Sequence, residues 1–336
     1  MLSGKKVLVL GGTGAMGVYL VPRLAQMGCQ VDVISLDKVQ SNDERITYTQ
    51  ADAKDDNYLK EVLKNRYDAI VDFLLYNTNE FSSWHEMMLK STDHYMFFST
   101  YRIYADSPVI TEQSPRLLDV SADKDYLAKE EKEYSLYKAR QEDILRSCGF
   151  GNWTIIRPAI TYSKYRFQLV TLEANVVVYR AQKGLPVIVP QEALPVQATM
   201  SWAGDVANML SRLVLNPAAY GETYTVATAE HHTWQEIADY YNEIIGLEYI
   251  PVDTETYLNL FGDWKVYAGY QLKYDRCFNR VIDNSKVLAA TGLKQSELMP
   301  LKQGLKKELL ALPKDVVWSE TTVNAKMDEL LKKLGK

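Results

Sequence analysis

Tyr134 and Lys138 stand four residues apart, the first pair in this 336-residue chain whose types and spacing suit catalysis. On a helix that spacing puts both side chains on one face. A free phenol, with a pKa near ~10, is a weak acid–base catalyst at neutral pH, and a nearby ammonium stabilises the phenolate. Thr100, at the end of an apolar run (95–99), has a hydroxyl that can hold a substrate oxygen, with Ser99 as the alternative. Alone, Tyr-x-x-x-Lys is a weak signal. The chain has 23 tyrosines, and an amphipathic helix with Tyr134 or Tyr137 packed inward would look the same.

The order along the chain gives the pair its meaning. Residues 6–10 (K-V-L-V-L) predict a buried strand, followed by G-G-T-G-A-M-G over 11–17 and a helix over 15–26. Gly11 permits a tight turn, Gly14 lets a phosphate approach the backbone, and Gly17 lets the helix pack on the strand. Ala15 and Met16 belong to the same loop. The helix start then offers unpaired N–H groups to a pyrophosphate. No Lys-Ser or Lys-Thr follows, so the loop is not of the ATP type. Strand, loop and helix together point to NAD or NADP, and Lys138 could then also hydrogen-bond the nicotinamide ribose.

Further cofactor contacts fall on Asp37, Asp52 and Ala53. Asp52 can accept from an adenine amino group while the Ala53 backbone meets the ring, or Asp52 caps the next helix. An acidic residue after the second strand would bind the ribose 2′-hydroxyl. The usual position holds Ser35, with Asp37 two further on and Lys38 beside it. The balance favours NAD, with NADP left open.

The elements that position these groups alternate strand and helix, which predicts an α/β fold with a doubly wound parallel sheet. Strands are expected at 6–10, 30–34, 46–50, 69–75, 95–99 and 153–156, and helices at 15–26, 54–66, 82–90 and 130–147. The polar stretch 106–132 reads as a loop over the site. Later helices are expected at 169–183, 207–215, 233–245 and 284–291, with a strand at 223–227 between them. Residues 301–312 and 322–334 read as surface helices, and the aromatic-rich stretch 251–278 as irregular. Its Tyr267, Tyr270 and Tyr274 suit either a pocket or, by preference, core. Residues 1–165 form the expected dinucleotide-binding domain. Residues 166–336 form mainly a smaller substrate lobe, with segments near 200–230 and 275–290 packing back.

Composition narrows the function classes. Hydrophobic residues make up 47% of the chain, enough for a large core without metals or disulfides. A net charge of -5 argues against a general nucleic-acid binder. Three scattered cysteines and four histidines without ligand spacing argue against a zinc site. No apolar run reaches the ~18 residues of a membrane span, and the N-terminus enters a strand without a leader, so a soluble cytoplasmic protein is expected.

Together the motifs resemble those of the extended short-chain dehydrogenase/reductase superfamily, in particular its NAD-dependent epimerase/dehydratase branch. L-G-G-T-G-A-M-G (10–17) is similar to the cofactor loop, and F-F-S-T-Y-R-I-Y (97–104) to the segment with the catalytic Ser/Thr. Y-S-L-Y-K-A-R-Q-E (134–142) resembles the Tyr/Lys helix, I-I-R-P-A-I-T-Y (155–162) the Arg-Pro strand, W-A-G-D-V-A (202–207) and D-N-S-K (283–286) the later motifs. The resemblance implies a Rossmann-type sheet with a small C-terminal lobe. It implies Thr100 and Tyr134 as catalytic, Lys138 as both catalytic and cofactor-binding, a small-molecule substrate such as a sugar or nucleotide sugar, and a homodimer. Tyr137 in place of serine, Ser35 in place of an acid, and Ser163-Lys164 after Tyr162 depart from the pattern. The chain also resembles a divergent branch that includes chloroplast stem-loop RNA-binding proteins. That leaves a non-catalytic cofactor-sensing or RNA-binding module as the alternative.

Overall fold

Residues 7–10 are apolar on both faces of their strand, and the chain covers both. The computed structural model describes residues 2–164, 166–313 and 316–335. In chain order the main elements are β1 (Lys6–Leu10), α1 (Gly17–Gln26), β2 (Gln30–Ser35), β3 (Ile46–Gln50), α2 (Asp56–Leu63), β4 (Tyr67–Asp72), α3 (Thr78–Lys90) and β5 (Thr92–Phe98). Then come α4 (Tyr134–Ser147), β6 (Trp153–Pro158), α5 (Ala174–Gln182), α6 (Ala203–Leu213), β7 (Glu222–Val226), α7 (Trp234–Ile245), α8 (Leu301–Leu310) and α9 (Thr322–Lys333). The seven strands form one sheet in the order β3-β2-β1-β4-β5-β6-β7. Every neighbouring pair is parallel.

Alternate residues divide between two cores. Val7, Val9, Val31, Val33 and Val71 pack on Leu20, Val21 and Leu24 of α1 and on Val206, Leu210 and Leu213 of α6. Leu8, Leu10, Ile70, Tyr95, Phe97 and Ile155 pack on Leu59, Phe81, Met88 and Leu145 from α2, α3 and α4. Each such side chain withdrawn from water contributes roughly 1.5–3 kcal/mol. The strand order reverses between β1 and β4, so the carboxyl ends of these strands open onto a crevice. There the Gly11 N–H donates to the Ile34 carbonyl at 2.8 Å, and the Phe73 N–H to the Leu10 carbonyl at 3.0 Å.

A third core gathers Leu169, Val177, Ile188, Trp234, Ile237, Tyr241, Leu305 and Met327. A capping box opens α7: the Thr233 hydroxyl accepts from the Glu236 N–H, and the Glu236 carboxylate accepts from the Thr233 N–H. Four expectations need correction. The stretch 251–278 is mostly helical, with turns at Thr254–Leu258, Asn259–Trp264, Lys265–Gln271 and a wide π-type turn at Leu272–Arg276. Helices α8 and α9 lie partly on the surface but bury Leu301, Leu305, Leu309, Met327 and Leu331. Leu169 and Leu172 bridge across a tight turn with Val170 at φ +54°, so α5 starts only at Ala174. The stretch 106–132 contains two short helices and packs beside α4, where Arg116 meets Asp143 at 2.7 Å. Tyr165, at the expected domain boundary, lies outside the described residues.

Candidate active site

The loop after β1 is shaped by its glycines. Gly11 has φ +72°, a region that L side chains avoid. A Cβ on Gly17 would sit 2.2 Å from the Gly12 carbonyl oxygen, so only glycine lets α1 start this close to the loop. Gly14 differs: a Cβ there would meet nothing nearer than the Gly11 oxygen at 3.7 Å. Its missing side chain leaves space. No side chain caps α1, and its first turn carries no acidic residue. An anion at this helix start therefore has amide donors to meet and no carboxylate from that turn to repel it.

A cleft of about 500 Å³ opens at this point, and Gly11, Gly14, Ala15, Met16 and Gly17 form one wall. The far wall holds Thr100, Tyr134 and Lys138. Thr100 caps the turn Tyr101–Ile103, its hydroxyl accepting from the Arg102 N–H at 3.2 Å. Ser99 also lines the cleft, with its hydroxyl toward the buried Glu142 carboxylate. Tyr134 opens α4. Burial holds its phenol above the ordinary value, and Arg102, Arg166 and the Thr100 hydroxyl offset only part of that rise. Lys138 is buried and donates from Nζ to the Phe98 carbonyl at 2.7 Å. Burial pulls its ammonium down, while Asp72 and Glu142 push it up.

The other cofactor candidates lie outside this cleft's lining. Asp37 is exposed beside the glycine loop and accepts from the Thr13 hydroxyl at 2.6 Å, while Thr13 also meets Ser35 at 2.6 Å. Asp52 is exposed and accepts from the Lys54 N–H at 2.8 Å, next to buried Ala53. It does not cap α2, because Asp55 does that by accepting from the Tyr58 N–H at 2.9 Å.

Sequence reasoning missed the arginines. Arg102, Arg166 and Arg276 line the cleft with Gln168, Glu173 and Gln271. Arg276 pairs with Asp275 and donates to the Tyr101 hydroxyl at 2.9 Å and the Val170 carbonyl at 2.7 Å. Arg102 carried one available signal, its place two residues after Thr100. Nothing local marks Arg276. The stretch 106–132 supplies no residue to the cleft lining, which corrects its reading as a loop over the site. Tyr274 is buried against Tyr126, as preferred, whereas Tyr267 lines a recess beside Tyr134.

A sheet that reverses order at a glycine loop, with the Thr100, Tyr134 and Lys138 side chains across the crevice, is the architecture of an extended short-chain dehydrogenase/reductase. The chain belongs to the NAD dependent epimerase/dehydratase family, whose model it matches over residues 7–227. Among solved structures it is similar to epimerase Mth375 of Methanothermobacter thermautotrophicus, at 16% identity and TM-score 0.66, over 99% of this chain and 95% of that one. The UDP-glucose 4-epimerase of Thermus thermophilus, solved with NAD, is similar at 19% identity and TM-score 0.61, over 90% and 97%. A curated relative, the chloroplast stem-loop binding protein of 41 kDa b of Arabidopsis thaliana, is 23% identical over 251 residues, or 70% of this chain. The alignment spans 62% of that relative's length. Among the described residues, no helix is long and apolar enough to cross a membrane, and no group of three or more His, Cys, Asp or Glu is placed to hold a metal ion.

Proposed function

We propose that this protein binds a nicotinamide dinucleotide at the 11–17 loop and acts on a carbonyl or alcohol carbon of a small molecule, a sugar or nucleotide sugar by preference. The observation that carries this reading is that the glycine loop and the Thr100, Tyr134 and Lys138 side chains line one cleft. Gly11, Gly14, Ala15, Met16 and Gly17 hold the pyrophosphate against the start of α1. Asp37 meets the adenosine ribose, which favours NAD over NADP because a 2′-phosphate would face a carboxylate. Asp52 and Ala53 take the adenine edge. The cofactor, when bound, supplies a hydride acceptor at its nicotinamide ring. Thr100 holds the substrate oxygen and Tyr134 moves the proton on that oxygen. Lys138 holds the nicotinamide ribose and adds positive charge near the phenol.

The structural relatives solved with NAD support this reading. Mass spectrometry of the denatured, freshly purified protein tests it, and retained NAD is the expected result. Tyr134→Phe should keep cofactor affinity and lose turnover in a screen of sugar and nucleotide-sugar substrates. Full turnover in that variant would remove Tyr134 from the mechanism.

A second reading, an RNA-binding module on the same fold, is favoured by the similarity to the stem-loop binding protein. Salt-sensitive RNA retention in a gel shift, with no cofactor-dependent turnover, would favour it.

A further inference from the structure

Asp72 is an acid in a place built for an apolar side chain. It ends β4, in register with Leu10 of β1 and Phe97 of β5, and Ile70, two residues before it, packs in the core beneath α2, α3 and α4. Alternation along the strand turns Asp72 to that same side. It is 1% exposed, as is Lys138 of α4. Lys138 reaches the same end of the sheet. Its Nζ lies 2.7 Å from the Phe98 carbonyl oxygen and 4.7 Å from the centroid of the Phe97 ring, and Phe97 is the strand neighbour of Asp72. We propose that Asp72 is a positioning residue for the reaction, the buried anion that keeps Lys138 charged so that an ammonium is present beside Tyr134 and the nicotinamide ribose. The proposal rests on the reading of Lys138 as the cation of that site.

Three features suit Asp72 to this. First, its hydrogen bonds favour a carboxylate. Oδ2 accepts from the Tyr95 hydroxyl at 2.7 Å and the Tyr76 hydroxyl at 2.9 Å, and Oδ1 accepts from the Leu74 N–H at 3.0 Å. Three donors on two oxygens stabilise the ionised form, which only accepts. Second, those partners are neutral, and Lys138 is the cation that acts on Asp72. Glu142, one turn further along α4, also acts on Lys138, but Arg157 meets it through two hydrogen bonds, and Arg116 and Arg146 lie at 3.8 Å and 3.4 Å. Third, Asp72 and Lys138 share a buried interior. They act on each other by charge alone, with no hydrogen bond between them, and at low dielectric a charge several ångströms away still counts. Burial pulls the Lys138 pKa down to about 8, and Asp72 is the largest influence opposing that fall. Burial likewise holds Asp72 above the ordinary carboxyl value, and Tyr95, the Leu74 N–H, Tyr76 and Lys138 offset part of that rise. Either group alone at this depth would tend to give up its charge.

The groups that face the pair come from four elements. Around Lys138 stand Tyr134 and Glu142 on its own helix, the Phe98 carbonyl and the Phe97 ring from β5, and Asp72 from β4. Around Asp72 stand Tyr95 from β5 and Tyr76 from the segment between β4 and α3. One step further out, Lys54 and Glu80 pair at 2.8 Å, with the Lys54 ammonium 5.6 Å from the centroid of the Tyr76 ring. Gln141 of α4 donates to the Tyr76 carbonyl at 2.7 Å and ties the cluster to the helix that carries Tyr134 and Lys138.

The experiment is a pH titration of full-length protein labelled with 13C at lysine Cε, the Lys138 signal being assigned by its loss in K138M. Asp72→Asn should lower the Lys138 midpoint by about one unit or more, a tenfold fall in the ratio of ammonium to amine at a given pH. Tyr95→Phe removes one hydrogen bond but keeps the carboxylate, so it should move the midpoint less, whereas a merely structural role for the cluster would move both alike. A Lys138 midpoint in D72N equal to or above that of the wild type overturns the proposal, and so does an equal shift in Y95F. If D72N does not fold, the reverse titration decides, with 13C at aspartate Cγ and Asp72 assigned by triple-resonance connectivity. Lys138→Met should then raise the Asp72 midpoint, because the coupling is mutual. An unchanged Asp72 midpoint overturns the proposal, as does an Asp72 already protonated at pH 7 in the wild type. The reading of Lys138 is tested apart from this, with 13C at tyrosine Cζ. There K138M should raise the Tyr134 midpoint, and an unchanged one fails that reading while the D72N result stands by itself.

Discussion

Arg157 meets Glu142 through two edges of its guanidinium, Nε to Oε1 at 2.8 Å and Nη2 to Oε2 at 2.6 Å, and both side chains are almost fully buried. Glu142 is the last residue of the Y-S-L-Y-K-A-R-Q-E run, and Arg157 is the third residue of the I-I-R-P-A-I-T-Y run, within β6. The pair therefore ties the helix of Tyr134 to β6. Charge keeps Glu142 below its ordinary value despite burial, with Arg157 as the main partner. Removing one partner leaves the other charge buried and alone. Glu142→Gln should destabilise the fold by about 3–5 kcal/mol in urea unfolding. A loss near ~0.5 kcal/mol would show that this pair does not brace α4.

His94 predicts a pH dependence. It is buried in β5, its Nδ1 accepts from the Leu215 N–H at 2.9 Å, and its Nε2 meets the Thr154 hydroxyl at 2.7 Å. Burial pulls its pKa down to about 3. The folded state thus holds His94 neutral where the unfolded chain, titrating near ~6.5, takes up a proton. This contribution is complete above about pH 6.5 and is lost as pH falls toward 3. Between pH 7.5 and 4.5 the wild type should lose roughly 2.5 kcal/mol more than His94→Asn, measured by urea unfolding at each pH. Parallel curves for the two proteins would contradict the assignment.

Asp37 sets the third expectation. Its carboxylate, held beside the loop by Thr13, suits a ribose 2′-hydroxyl and repels a 2′-phosphate. Asp37→Asn should narrow the preference for NAD over NADP by about tenfold, read as two dissociation constants by calorimetry. An unchanged ratio would place the ribose elsewhere.

The sheet was legible because its central strands, such as β1, β4 and β5, carry apolar residues on both faces, and the glycine loop because strand and helix flank it. Other parts were hidden for physical reasons. Val176, Val177 and Val178 are poor helix formers, yet all three lie in α5 because each is buried in the third core, where packing outweighs propensity. The stretch 251–278 gave no clear period because Gly262, at φ +55°, and the π-type turn at Leu272–Arg276 interrupt its helical turns. In the cleft, the Thr100, Tyr134 and Lys138 pattern is local and readable. Arg276 reaches Tyr101 across 175 positions, a contact only the folded chain creates.

The second and third glycines of the Gly11, Gly14 and Gly17 spacing should behave differently when changed. Gly17→Ala places a methyl group 2.2 Å from the Gly12 carbonyl oxygen and should lower the melting temperature markedly. Gly14→Ala meets only the Gly11 oxygen, at ordinary contact distance, and should melt as the wild type does. Equal losses of stability would mean that Gly14 also serves packing.

That contrast supplies the most direct test of the whole account, a calorimetric titration of NAD+ into wild type and Gly14→Ala. The wild type should bind with measurable heat, and the equally stable variant should bind at least about tenfold more weakly, because its methyl group takes the space left for the diphosphate. A wild type that gives neither heat nor thermal shift with any oxidised or reduced nicotinamide nucleotide would contradict it, as would a variant that binds NAD+ undiminished.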